Sequence, residues 1–182
     1  MKVFVIEDEA ASIESARMQL GEGHELAFFT TAMEVRNLLP SLASGNEKPD
    51  LILTDVNIPM GEVRGYDVKN HYSPSDMIPA GLVVALRAAT LGIPCLIITD
   101  SNSHRDMIGL LLDVAALHEG RVGIPRMVDA NTRPDRIETP SGMGKDWLDH
   151  KSVEEVIERL ATPMKSWSEE MAARKAKTGH SK

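Results

Sequence analysis

Leu51-Ile52-Leu53-Thr54-Asp55-Val56-Asn57-Ile58-Pro59-Met60-Gly61 is the stretch on which the fold turns. Its first part is apolar at consecutive positions, too short for a helix, and ends by delivering a carboxylate, which is the pattern of a strand buried on both faces. Pro59 and Gly61 then break the run. Upstream, Lys2 to Ile6 has the same character and also stops at acids, Glu7-Asp8-Glu9. Between these strands, Ala10 to Leu20 carries apolar residues at near-helical spacing and is stopped by Gly21 and Gly23. Leu26 to Phe29 is a short second strand, and Thr31 to Leu42 a second helix with Val35, Leu38 and Leu39 on one side.

Downstream, Glu62 to Ser75 lacks apolar periodicity and reads as a long loop, so a loop is expected near 61–78. Ala80 to Leu91 is apolar almost all round, as for a helix against a sheet, and Gly92-Ile93-Pro94 separates it from the strand Cys95 to Thr99. His104 to Leu117 is the next expected helix, capped by Ser103, and Val122 to Val128 the candidate fifth strand. A Pro-, Gly- and Thr-rich stretch at 129–144 reads as a second long loop, followed by the helix Ser152 to Leu160. The expected layout is one α/β domain over 1–161 and a helical or frayed tail over 162–182.

Strands alternating with helices predict a doubly wound parallel sheet with helices on both faces, since each parallel step needs a crossover. Such sheets bind ligands beyond the C-terminal ends of the strands, where strand order reverses. Glu7, Asp8, Asp55 and Thr99 all fall at those ends. Two carboxylates about 4 Å apart repel by roughly 4 kcal/mol at an effective dielectric near 20. A hard cation offsets that, and Mg2+ prefers a few carboxylate oxygens, a backbone carbonyl and retained waters.

Val5-Ile6-Glu7-Asp8-Glu9 and Leu53-Thr54-Asp55-Val56-Asn57-Ile58-Pro59-Met60-Gly61 resemble the two acidic signatures of the bacterial response-regulator receiver domain, the CheY-like superfamily. The resemblance implies a flavodoxin-like fold with a five-stranded parallel sheet. It implies Asp55 as acceptor of a phosphoryl group, with Mg2+ on Glu7, Asp8, Asp55 and the Asn57 backbone carbonyl. Thr99 matches the family's hydroxyl residue that contacts the phosphoryl group, and Lys145-Asp146-Trp147 resembles its lysine segment. The partners implied are a histidine kinase or phosphotransfer protein and a downstream protein, with a homodimer as a further expectation. The sequence departs from the family at Asp100, where receivers carry a small residue, and at Asp129, where their lysine follows the fifth strand. The long loop after Gly61 also replaces a short turn.

Composition narrows the classes. The chain has 182 residues, 42% hydrophobic, with 20 Lys plus Arg against 27 Asp plus Glu, so its net charge of -7 disfavours direct nucleic-acid binding. Cys95 has no second thiol to pair with, and neither a signal-peptide core nor a membrane-length apolar run of roughly 20 residues occurs. A reducing cytoplasm is expected. Ser141-Gly142-Met143-Gly144-Lys145-Asp146 is no phosphate-binding loop, because Thr139 and Asp146 replace its first Gly and its Ser or Thr. The histidines lack compact metal-ligand spacing, and Trp167 and Met171 form at most an apolar edge on the tail. Three functions compete: a stand-alone signalling receiver, a pseudo-receiver that only binds partners, and a Mg2+-dependent phosphohydrolase, whose usual DxD after the first strand is missing.

Overall fold

Residues 1–62, 73–99 and 136–147 are described in a computed structural model. Among these residues four parallel strands form a sheet: β1 (Lys2–Ile6), β2 (Glu25–Phe29), β3 (Leu51–Thr54) and, after two short strands, β6 (Cys95–Ile97). Their order is β2-β1-β3-β6. The chain thus winds from β1 out to β2 on one side, then crosses back to β3 on the other, and the reversal lies between β1 and β3.

The pleat sorts the apolar residues of the strands between two cores. Phe4, Ile6, Ile52, Cys95 and Ile97 join Val35, Leu38 and Leu42 of α2 (Ala32–Ser44) and Leu82, Val84, Ala85 and Ala88 of α3 (Ala80–Leu91). Val3, Val5, Leu51, Leu53, Leu96 and Ile98 join Ala16 and Leu20 of α1 (Ala10–Leu20). The sheet is therefore covered on both faces, which is why its strands read as unbroken apolar runs rather than alternating ones. A reciprocal cap starts α2: Thr31 Oγ1 accepts from the Glu34 backbone N–H at 3.2 Å, and Glu34 Oε2 accepts from the Thr31 N–H at 3.2 Å.

Two loops expected from the sequence contain paired strands among the described residues. β4 (Ile58–Pro59) pairs antiparallel with β5 (Met77–Ile78), so the polar excursion after Gly61 leaves and returns through a pinned neck. The loop expected at 129–144 is corrected over its second half: β7 (Arg136–Thr139) and β8 (Gly142–Lys145) form an antiparallel hairpin. Its turn residues Pro140 and Ser141 join strands whose glycines, Gly142 and Gly144, mask the strand signal. The fifth strand expected at Val122–Val128, the helices expected at His104–Leu117 and Ser152–Leu160, and the tail lie outside the described residues. Among the described residues no helix is long and apolar enough to cross a membrane.

Candidate functional site

β1 and β3 are parallel neighbours in a register that sets Ile6 opposite Thr54. The residues after them, Glu7 and Asp55, therefore leave the sheet side by side. The ladder extends one step to hold them: Asp55 N–H donates to the Ile6 carbonyl at 2.9 Å and Glu7 N–H to the Phe29 carbonyl at 3.0 Å. By the two-residue pleat, both side chains continue the Val3-Val5 and Leu51-Leu53 series toward the α1 face. The Glu7 side chain is buried, and its Oε1 accepts from the N–H groups of Asp8 at 3.1 Å and Glu9 at 2.9 Å.

What meets these carboxylates is Lys145, at the end of β8. The hairpin lies against α1, where Ser15 Oγ donates to the Lys145 carbonyl at 2.7 Å and Lys145 N–H donates to Ser12 Oγ at 3.2 Å. The approach is close enough that a Cβ on Gly144 would stand 2.2 Å from the Ala11 carbonyl oxygen. Trp147, fully buried, plugs the α1-side core and donates from Nε1 to the Ser12 carbonyl at 2.8 Å. Gln19 bonds both residues after the lysine, taking the Trp147 N–H at 2.9 Å and donating to Asp146 Oδ1 at 2.6 Å. Lys145 is 1% exposed, and its Nζ lies 2.6 Å from Glu7 Oε2 and 2.5 Å from Asp55 Oδ2. At the rim, Arg136 of β7 pairs with Glu9 at 2.9 Å.

Burial dominates the electrostatics. It lifts the Glu7 carboxyl to about 7, against the pull of Lys145 and with help from the charge of Asp55. Burial also opposes the Lys145 charge, but Glu7 and Asp55 together hold its pKa above the ordinary lysine value. Asp8 is raised, first by burial and, against its own backbone bond, by Asp55. Glu9 is lowered: burial pushes it up, but the Ser12 hydroxyl and Arg136 outweigh that.

Of the residues singled out from the sequence, Glu7, Asp55 and Lys145 are in direct contact. Asp8 is exposed beside them, Asn57 is half-buried between β3 and β4, and Thr99 is buried two residues past β6. Asp100 and Asp129 lie outside the described residues. Among the described residues no group of three or more His, Cys, Asp or Glu side chains is gathered for a metal ion; the Glu7–Asp55 pair is bridged by an ammonium. Ser12, Ser15, Gln19 and Arg136 were missed in the sequence. Ser12 and Ser15 alone carried a signal, as polar residues on the inward side of an otherwise apolar helix stripe.

No family model matches this chain, and no curated protein does. Among solved structures it is similar to the SurE protein from Aquifex aeolicus, at 14% identity over 85% of this chain and 86% of that one. The TM-score is 0.34, too loose a superposition to carry an argument about fold or chemistry.

Proposed function

We propose that this chain is a receiver-like signalling domain, completed to a five-stranded flavodoxin-like sheet, that accepts a phosphoryl group on Asp55. The observation that carries the reading is the Lys145 ammonium set between Glu7 and Asp55 at the strand-order reversal. The lysine is far from the place the family resemblance would give it in sequence, yet the hairpin returns it to the carboxylate pair.

In the proposed step an Asp55 carboxylate oxygen attacks phosphorus. The P–N bond of a phosphohistidine breaks, its electron pair returns to the imidazole, and an O–P bond to Asp55 forms. Negative charge spread over the transferring group's oxygens then faces Lys145. Glu7, Asp8 and Asp55 supply hard oxygens of the kind Mg2+ prefers, and to share one ion they would have to gather more closely than they stand around the Lys145 ammonium. Glu7, Asp8, Asp55 and the Asn57 carbonyl would hold that ion, which when bound supplies charge neutralisation for phosphoryl transfer. Thr99 would contact the phosphoryl group. The donor would be a histidine kinase or phosphotransfer protein in the cytoplasm, and the output a protein partner rather than DNA.

A second reading, a pseudo-receiver that binds partners without being phosphorylated, draws on the ammonium already seated on Asp55 Oδ2. Intact mass under mild, non-acidic conditions separates the two, after incubation with acetyl phosphate and Mg2+. A gain of one phosphoryl group in wild type and none in Asp55→Asn is the expected result. No gain in wild type, together with no Mg2+ binding, gives the pseudo-receiver reading.

A further inference from the structure

Lys145 is the last residue of its strand, and the hairpin ladder ends with its pairing to Arg136. Beyond that pair the hairpin's own hydrogen bonds do not fix the chain, yet the lysine must be held to within tenths of an ångström of two carboxylates. The residues that immediately follow are fixed from outside the hairpin. The Gln19 amide is used at both ends: its oxygen accepts from the Trp147 N–H at 2.9 Å and its nitrogen donates to Asp146 Oδ1 at 2.6 Å. The Trp147 indole is tied to the Ser12 carbonyl on the same helix, about two turns before Gln19 on the same face. Ser12 and Ser15 hold the backbone of Lys145 itself.

We infer that Gln19 is a positioning residue, acting through Asp146 and Trp147 to hold the Lys145 ammonium between Glu7 and Asp55. An amide suits this task and a carboxylate or ammonium does not, because one partner is a donor and the other an anionic acceptor. Its place on α1 explains how a lysine that does not arrive on a sheet strand is still fixed relative to the sheet: α1 packs on β1 and β3 through Ala16 and Leu20, and the hairpin is clamped to α1. A misplacement near 1 Å costs on the order of a hundredfold in rate at a reacting centre, so a loosened clamp should show in the chemistry of the site.

The test uses the full chain uniformly labelled with 15N, and two readouts. The first is the Lys145 ammonium proton signal, visible at neutral pH only where burial and ion pairing slow its exchange with water. The second is the rate of mass gain with acetyl phosphate and Mg2+. Gln19→Leu should lose the ammonium signal and slow the mass gain roughly tenfold or more while the β1 and β3 amide signals stay in place. Gln19→Glu, which repels Asp146, should do the same and serves if the Leu variant does not fold. The double change Gln19→Glu with Asp146→Asn reverses the polarity of that bond while keeping the Trp147 acceptor, and should restore both readouts. A wild-type ammonium signal in Gln19→Leu, or no recovery in the double variant, overturns the inference. It rests on the phosphoryl-accepting reading only for the second readout: if wild type gains no mass but the ammonium signal behaves as stated, that reading falls and the clamp stands.

Discussion

Glu7 and Asp55 are carried by adjacent parallel strands in the middle of the sheet, whereas Lys145 is carried by a hairpin that reaches the sheet through α1 and Trp147. The first arrangement is fixed by backbone ladders and two apolar cores. The second is fixed by side-chain hydrogen bonds to one helix and by one buried indole. A site assembled this way has an anionic half built into the sheet and a cationic half joined to it through α1, so a change at the hairpin's contact with α1 should act on the second before the first.

Two glycines give the sharpest contrast between the halves. A Cβ on Gly81, at the start of α3, would lie 1.6 Å from the Asp55 carbonyl oxygen and 2.4 Å from Thr54 Oγ1, so the residue is needed where helix meets the end of β3. Gly81→Ala should therefore cost about 4 kcal/mol or more, because the clash is with backbone in the packed centre. Gly144→Ala clashes with the Ala11 carbonyl instead, and should lift the hairpin while sparing the four-stranded sheet. Denaturant unfolding with hydrogen exchange on both variants checks this. Equal loss of protection in β1 and in β8 for Gly144→Ala would mean that the halves are not separable.

The same contrast governs what the sequence disclosed. β1 and β3 could be read because strands buried on both faces carry unbroken apolar runs, Val3 to Ile6 and Leu51 to Leu53, and each ended in acids that no core would accept unpaired. The hairpin could not, since Gly142 and Gly144 are there to let the chain turn and to approach α1, and glycine carries no strand periodicity. Lys145 drew notice only for its Asp146-Trp147 context, and Gln19 not at all, because its partners lie 127 and 128 residues away and a lone glutamine on a helix has no sequence signature.

Lys145→Met tests whether the cationic half also stabilises the fold. Removing one member of a buried ion pair typically costs about 3 kcal/mol or more, because the charge left behind has lost its partner. Here two carboxylates are left, and the loss should be largest near neutral and alkaline pH. Lys145 is one of the groups that hold the Glu7 pKa down, so without it Glu7 takes up its proton at higher pH and part of the loss is recovered on acidification. A pH-independent cost in Lys145→Met, measured by urea unfolding, would mean that the lysine acts by packing alone.

The smallest effect, and the one that isolates Glu7, is a slope. Its folded-state pKa of about 7 lies above the ordinary 4.5, so the folded chain keeps a proton through a window in which the unfolded chain has lost it. Stability from this group is therefore fully present below about pH 4.5 and is lost as pH rises through 7. The expected size is on the order of 3 kcal/mol across the window, since each unit of separation is worth about 1.4 kcal/mol and the pull of Lys145 is already contained in the raised value. Glu7→Gln keeps a neutral side chain that can still accept from the Asp8 and Glu9 N–H groups, so its unfolding free energy should lack that slope and converge with wild type toward acid. Parallel profiles for the two proteins between pH 4.5 and 7 would place the Glu7 proton elsewhere and leave Lys145 paired to a charged Glu7 throughout.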